Sequence, residues 1–351
     1  MKKKLIALLL ILAILVLCGC LAKVLLDAPE ETPAPQVTGG EKLTVHFLDV
    51  GQADCALLEC GGEYMLIDGG NIGDGQMVIS YLQNMGVEEL KAVVCTHAHE
   101  DHVGGLPSVL AVYPVKQVFA PTKTYASKVF DDFLYYTDQQ RLEVTLPAPG
   151  DEMTLGQAQI TVLGPLKSYA ETNDTSIVMK VVFGETSFLF TGDMEVLAEN
   201  DLLENGTDLK ADVLKVGHHG SDTSTGYRFL YEVDPTYGVI PVGKDNSYGH
   251  PHAEPLSRLR DAGVTLLRTD ELGHILAVSD GKEITFTWGN QTAQPEAVEP
   301  AEPQVFIGNK NSKKLHSEDC GSLPGENNRV YFDSYQQAIA EGYEPHGTCL
   351  K

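Results

Sequence analysis

At 351 residues the chain is long enough for one large domain and a small one. It carries 25 Lys and Arg against 49 Asp and Glu, a formal net charge of −24. The excess is not confined to a tail, because Lys42 to Asn290 alone holds 16 basic and 36 acidic side chains. A face that captures nucleic acid through its phosphates should be basic, so this balance argues against that mode of binding unless bound metal ions offset the charge locally.

The chain opens with MKKKLIALLLILAILVLCGC. Three lysines precede an apolar run of about 13 residues, Leu5 to Leu17, which is the layout of an export signal and short for a bilayer span of about 20. LVLCGC also resembles a bacterial lipoprotein box, which implies a signal over 1–20 and acylation of Cys20. An uncleaved anchor helix is the plainer alternative. Either way the rest is expected to be extracytoplasmic, and with Cys20 acylated it is lipid-anchored to the bacterial cell membrane. Residues 21–41, rich in Pro, Glu and Gly, read as a tether.

From Leu43 strand-like runs dominate: LTVHFLDV, ADCALLEC, EYMLIDGG, KAVVC, QITVLGP, SIVMKVVFG, TSFLFTGD, ADVLKVG, YGVIPV, VTLLRT, HILAVSD and EITFTWG. Helical segments fall near Met77–Met85, Leu106–Ala111, Ala126–Tyr136, Val196–Leu203 and Glu254–Ala262. The pattern predicts sheets covered by helices over 42–290, with no internal repeat. A Pro/Glu linker over 291–303 then leads to a last block, 304–351. Cys18 leaves with the signal. Cys55, Cys60 and Cys95 read as buried thiols, although an oxidising compartment permits a Cys55–Cys60 disulfide.

Between the strand KAVVC and the glycines Gly104 and Gly105 stands THAHEDH. Imidazoles and carboxylates crowd together at low cost only around a cation, and this mixture suits Zn or Mn. In a turn, His97 and His99 can share one ion while Asp101 and His102 face a second, the pairing that clamps both oxygens of a displacement at phosphorus. FLFTGDM ends a strand at Asp193, positioned to bridge. ADVLKVGHHGSD ends another at His218 and His219; one of these is expected to be a direct ligand, His219 by slight preference, with the other orienting it.

The ordered motifs FLDVGQAD, LIDGG, THAHEDHVGG, NDTSIVMKV, LFTGD, KVGHHGS and YGHPH resemble the metallo-β-lactamase superfamily over about Thr44 to Trp288. Within it they are similar to the extracytoplasmic domain of the competence DNA-uptake protein ComEC and its free-standing relatives. The resemblance implies an α/β fold, a four-layer αββα sandwich with the metal site along one sheet edge. Ala53 stands where that family usually has Gly. Many members carry another ligand histidine before the bridging Asp; here TNDTS, with Asn173 and Ser176, takes its place, so the ion of His97 and His99 loses an imidazole. Asp101 would hold the ion of the attacking water. Asn173, Lys215, Ser221 and His252 are candidates to touch a phosphate or a leaving oxygen, against the plainer readings that Lys215 points to solvent and His252 caps a turn. Asp68 is expected to order the site from beneath, and Asp49 and Asp54 to support it.

The last block pairs His316 with Cys320 and His346 with Cys349 around a short helix, which suggests a closed structural zinc site. A block this small can hardly fold on its own apolar core. The alternative is a Cys320–Cys349 disulfide. The block resembles the Ada-type zinc-binding module, with His346 where that family has Cys.

The chain is therefore expected to use two divalent metals, Zn or Mn, and one structural Zn. The expected activity is hydrolysis of a phosphodiester, with single- or double-stranded DNA the first substrate. A cell-wall or phosphocholine phosphodiesterase, and a non-catalytic metal-binding surface lipoprotein, are the alternatives; β-lactam hydrolysis fits least.

Overall fold

Apolar side chains alternate along the strands, and both faces of each sheet are covered. The computed structural model describes residues 37, 39–289, 291–293, 305–347 and 349–350. The export segment with Cys20, the tether up to Gln36 and most of the second linker lie outside the described residues.

β1 (Leu43–Phe47), β2 (Ala56–Cys60), β3 (Glu63–Ile67), β4 (Leu90–Val94), β5 (Val115–Phe119) and β6 (Val144–Thr145) are neighbours in one sheet. β7 (Glu152–Leu155), β8 (Ala158–Gly164), β9 (Val178–Phe183), β10 (Thr186–Phe190), β11 (Val213–Lys215), β12 (Tyr237–Ile240) and β13 (Thr265–Arg268) build a second, again in sequential order. The chain then returns, and β14 (Ile275–Ser279), β15 (Ile284–Trp288) and β16 (Gln291–Ala293) extend the first sheet beyond β1. β16 takes the first residues of the expected linker into an edge strand paired with β15.

Helices occupy the crossovers between parallel strands, as parallel pairing requires. α1 (Gly75–Asn84) joins β3 to β4, α2 (Glu100–Val103) and α3 (Leu106–Val112) join β4 to β5, and α4 (Lys128–Gln139) joins β5 to β6. On the other sheet α5 (Val196–Glu204), α6 (Tyr227–Val233) and α7 (Ala253–Asp261) do the same for β10 to β13, and α8 (Thr269–Leu272) follows. α6 was not legible as a helix in the sequence.

Strand alternation sorts the layers. Val45, Phe47, Leu58, Met65 and Val94 point inward and meet Ile160, Val181, Phe188 and Phe190 of the other sheet. Leu57, Leu66 and Val93 point outward against Val78, Val109 and Phe130 of the helices. Leu189, Leu214 and Ile240 pack outward on Leu202, Phe229 and Leu259. The architecture is the four-layer αββα sandwich. The same alternation removes the Cys55–Cys60 disulfide. Cys60 faces the inner layer and Cys55 the outer one, both are free thiols, and five extended residue steps set them about 16 Å apart.

A third sheet, ordered β19-β17-β18-β20, comprises β17 (Phe306–Asn309), β18 (Lys314–Ser317), β19 (Arg329–Phe332) and β20 (Glu344–Pro345), with α9 (Tyr335–Ala340) against it. Its apolar cluster, Phe306, Leu315, Phe332, Tyr335, Ala338, Tyr343 and Leu350, includes Tyr227 of α6. Tyr227 stacks on Tyr335 with ring centroids 5.1 Å apart. The small block thus enlarges its core by borrowing a side chain from the sandwich.

Candidate metal centre

β3, β4, β10, β11 and β12 all run parallel to a neighbour and end at one edge of the sandwich, so the segments that follow them converge: Asp68 after β3, Thr96 to His102 after β4, Asp193 after β10, His218 and His219 after β11, and Pro241 to His250 after β12. The carboxyl ends of parallel strands are where open α/β sheets place ligands. Gly104 and Gly105 let the THAHEDH turn lie against the LIDGG turn: a Cβ on Gly105 would stand 2.1 Å from the Gly69 carbonyl oxygen.

Ligand atoms of Asp101, His102, Asp193 and His219 all lie within 4.8 Å of one another. His102 Nε2 is 3.2 Å, and His219 Nε2 3.5 Å, from Asp193 Oδ2; His219 Nε2 is 3.3 Å from Asp101 Oδ2. His97 Nε2 lies 3.1 Å from His99 Nδ1 and 4.0 Å from the same Asp193 oxygen. Asp193 therefore stands between the two groups, although only His97 of the His97–His99 pair comes near it.

Around these atoms a second ring of partners sets their direction. Asp68, with both oxygens engaged, accepts from the Thr96 N–H and hydroxyl at 2.7 Å each and holds His102 Nδ1 at 2.8 Å. His219 Nδ1–H donates to the Pro241 carbonyl at 3.0 Å. Each ring is thus left with Nε2 turned inward, the tautomer a metal ligand needs. Asp54 is salt-bridged to Lys215 and lies 3.2 Å from His219 Nδ1. Asp49 lies elsewhere, on an exposed turn where its N–H donates to His274 Nδ1.

The residues present fit a divalent cation. His102 Nε2 and His219 Nε2 are buried and make no hydrogen bond, although both converge on Asp193 Oδ2. Buried polar atoms without partners are rare and costly. Charge points the same way: burial would lower the His219 pKa, yet the carboxylates of Asp193 and Asp54 push it up to about 10. Burial would likewise raise Asp193, but the His102 and His219 imidazoles hold it well below the ordinary carboxylate range. A pocket that charges its own histidine is one that favours cations.

The backbone settles how the two adjacent histidines divide. His218 and His219 both adopt left-handed conformations, φ 49° and 52°, which cost non-glycine residues roughly 1 kcal/mol or more each and recur at functional sites. The turn splays their rings, 62° between planes. His219 goes in among the ligands. His218 sits at the cleft with Nε2 3.7 Å from Asp193 Oδ2 and Nδ1 close to Thr223 Oγ1 (3.2 Å) and Glu195 Oε1 (3.4 Å).

Three other candidates lie away from the cleft. Lys215 neither faces solvent nor lines the cleft; it is buried, donates to the Gly192 carbonyl at 2.8 Å and pairs with Asp54, 3.6 Å from Asp193 Oδ1. Ser221 binds Thr223 through its hydroxyl and closes the turn after His219. His252 occupies the N-cap position of α7, accepting from the Asp222 N–H at 3.1 Å, with Nε2 3.2 Å from the Tyr248 carbonyl. Asn173 does line the cleft: its Nδ2 donates to Glu195 and its Oδ1 is buried and unpartnered.

The cleft above the ligands encloses about 360 Å³ and brings in residues the sequence reading left unassigned: Gln52, Glu100, Tyr248 and His250. Of the two histidines in YGHPH, His250 enters and His252 caps the helix. Burial, then His218 and His219, lower the His250 pKa to about 4, so its ring is neutral. The motif's repetition of histidine was the available signal. In the third sheet His316, Cys320, His346 and Cys349 form a second donor set that could hold zinc. Its S–N distances run from 3.4 to 3.9 Å. A tetrahedral zinc with bonds of about 2.3 Å to sulfur and 2.0 Å to nitrogen has edges of roughly 3.5 Å. The thiols are free, which removes the Cys320–Cys349 disulfide.

A four-layer sandwich with a histidine–carboxylate cluster at its strand ends defines a metallohydrolase-type protein. The pattern of the metallo-beta-lactamase superfamily matches residues 48–244, more than half of the chain, and the chain belongs to that superfamily. It is similar to ComE operon protein 3 of Bacillus subtilis, 34% identical over 202 residues, which is 57% of this chain and 26% of that protein. It is also similar to competence protein ComA of Neisseria gonorrhoeae, 29% identical over 68% of this chain and 33% of that one. Recombination protein 2 of Haemophilus influenzae is 31% identical over 61% of this chain and 26% of that one. The chain thus spans about a quarter to a third of the length of these relatives.

Proposed function

We propose that the chain is a surface-tethered, metal-dependent phosphodiesterase that acts on DNA, held outside the cell by acylated Cys20. The observation that carries this reading is the buried Asp193 Oδ2, within 4.0 Å of His97, His102, His218 and His219 nitrogens, with the Nε2 atoms of His102 and His219 free of hydrogen bonds. His97 and His99 would hold one divalent ion, Zn or Mn, and Asp101, His102 and His219 another, with Asp193 between them. Such ions supply Lewis acidity and activated water for displacement at phosphorus.

The chain's own residues do the rest. Asp68 and the Pro241 carbonyl keep the His102 and His219 rings oriented. Lys215 and Asp54 form an ion pair beneath Asp193 that balances charge without reaching substrate. Asn173 gives one Nδ2 hydrogen to Glu195 and has a second Nδ2 hydrogen to donate to a phosphoryl or leaving oxygen. The competence proteins among the relatives support DNA as the first substrate to test. A zinc ion held by His316, Cys320, His346 and Cys349 would stabilise the last block.

Glu41 to Lys351, loaded with Mn or Zn, should cleave single-stranded DNA and release product from a chromogenic phosphodiester, but leave a cephalosporin intact. Asp193→Ala should remove turnover while the fold persists. Turnover of the chromogenic or choline phosphodiester without DNA cleavage would replace DNA by a small phosphodiester. Stoichiometric metal with no turnover of any of them would make the chain a binding lipoprotein.

A further inference from the structure

Tyr248 and His250 of the YGHPH loop and His219 of the turn after β11 form a near-parallel series of rings from solvent to the ligand cluster. Tyr248 and His250 stack with centroids 5.7 Å apart and planes at 25°; His250 and His219 follow at 6.3 Å and 26°. Tyr248 is 68% exposed, yet its position is built. Asn246 Oδ1 accepts from the N–H groups of both Tyr248 (3.1 Å) and His250 (3.0 Å), while its Nδ2 donates to the carbonyls of Gly243 (2.9 Å) and His250 (2.6 Å). Gln52 reaches across from the opposite side, its Nε2 3.3 Å from His250 Nδ1 and its Oε1 accepting the Gly243 N–H. An aromatic side chain this exposed, on a loop fastened at so many points, leaves one face free at the mouth of the cleft.

No lysine or arginine lines that cleft among the described residues. A substrate's flanking phosphates therefore find no salt bridge there, and affinity beyond the metal ions has to come from another kind of contact. Stacking on a planar ring is such a contact and tolerates any base, because each has a π-face. Bases inside a duplex have both faces covered, so only an unpaired one can use such a platform.

We infer that Tyr248, backed by His250 and fastened by Asn246, is a stacking platform for an unpaired nucleobase beside the scissile phosphate, so that the site selects single-stranded nucleic acid. This rests on the phosphodiesterase reading above and names its substrate class. Tyr248 is a specificity-determining residue here, outside the ligand set.

The test uses the full chain in detergent, loaded with Mn. Its affinity is measured by fluorescence anisotropy for a phosphorothioate oligothymidylate and for an abasic strand of equal length; cleavage of the ordinary phosphodiester strand is followed separately. The base-bearing strand should bind about tenfold tighter. Tyr248→Ala should bring that ratio close to one and Tyr248→Phe should keep it, with bound metal unchanged in both. A ratio of one in the wild type, or a ratio untouched by Tyr248→Ala, overturns the platform, even if the strand is cut. A Tyr248-dependent ratio without cleavage by any metal form keeps the platform and removes the nuclease reading. Selective turnover of a choline phosphodiester, with no preference between strands, removes both.

Discussion

Asp68 illustrates how much of a metal site lies behind its ligands. Its carboxylate touches no open space, but it fixes Thr96 and the His102 ring at once. Partners of this kind typically carry 10- to 100-fold in metal affinity. Asp68→Asn should accordingly weaken metal binding by about that factor in chelator competition, with the fold retained in circular dichroism. Asp193→Asn should do more, because its carboxylate stands near both groups: metal content should fall for both the His97–His99 and the His102–His219 positions, as read by elemental analysis. A variant that retained full occupancy would remove Asp193 from the bridging role.

Elements carry their own constraints. The turn from Ser221 to Gly226 links the histidine pair to α6, and the carboxylate of buried Glu199 on α5 holds it by accepting the N–H groups of Thr225 and Gly226. Burial raises the Glu199 pKa from 4.5 to about 7, against the opposing pull of those N–H groups and of Arg258. A carboxyl whose folded pKa is raised contributes stability that is complete below the unfolded value and is lost as pH rises through the folded one. The wild type should therefore lose roughly 3 kcal/mol relative to Glu199→Gln between about pH 4.5 and 7.5, the two running parallel outside that window in denaturant titrations. Close approach of the two ligand-bearing turns gives a second case. Gly105→Ala would drive a methyl into the Gly69 carbonyl and should destabilise the protein by about 1–3 kcal/mol, with reduced metal affinity because both turns must move.

At the scale of the whole molecule, the third sheet and the sandwich share Tyr227, which stacks on Tyr335 and meets Phe306 edge-on at 5.7 Å. Removing metal from the His316–Cys349 set with a chelator should expose amides of Phe306 to Leu350 to hydrogen exchange while the strands of the sandwich stay protected. Tyr335→Ala should give a weaker version of the same pattern with metal still bound. Loss of protection throughout the sandwich in either experiment would mean that the two bodies unfold as one.

The sequence by itself determined most of the strands and helices of the sandwich, though not β5, β6, β7 or α6, through alternation of apolar residues in strands and their 3.6-residue spacing in helices, and it determined which residue types stand at the strand ends. His97, His99, Asp101, His102 and Asp193 needed only their motifs to be singled out, because ligand-type residues crowded after a buried strand have few other uses. Tertiary structure alone decided which member of each histidine pair enters the site. Side-chain direction after a strand depends on the φ and ψ of the turn: two left-handed residues send His219 in and leave His218 at the cleft, and in the next turn His250 enters the cleft while His252 caps α7. It also decided the fate of Lys215, which no local pattern foretells. Asp54, distant in sequence but adjacent in the fold, captures the ammonium and converts a supposed substrate contact into a buried support.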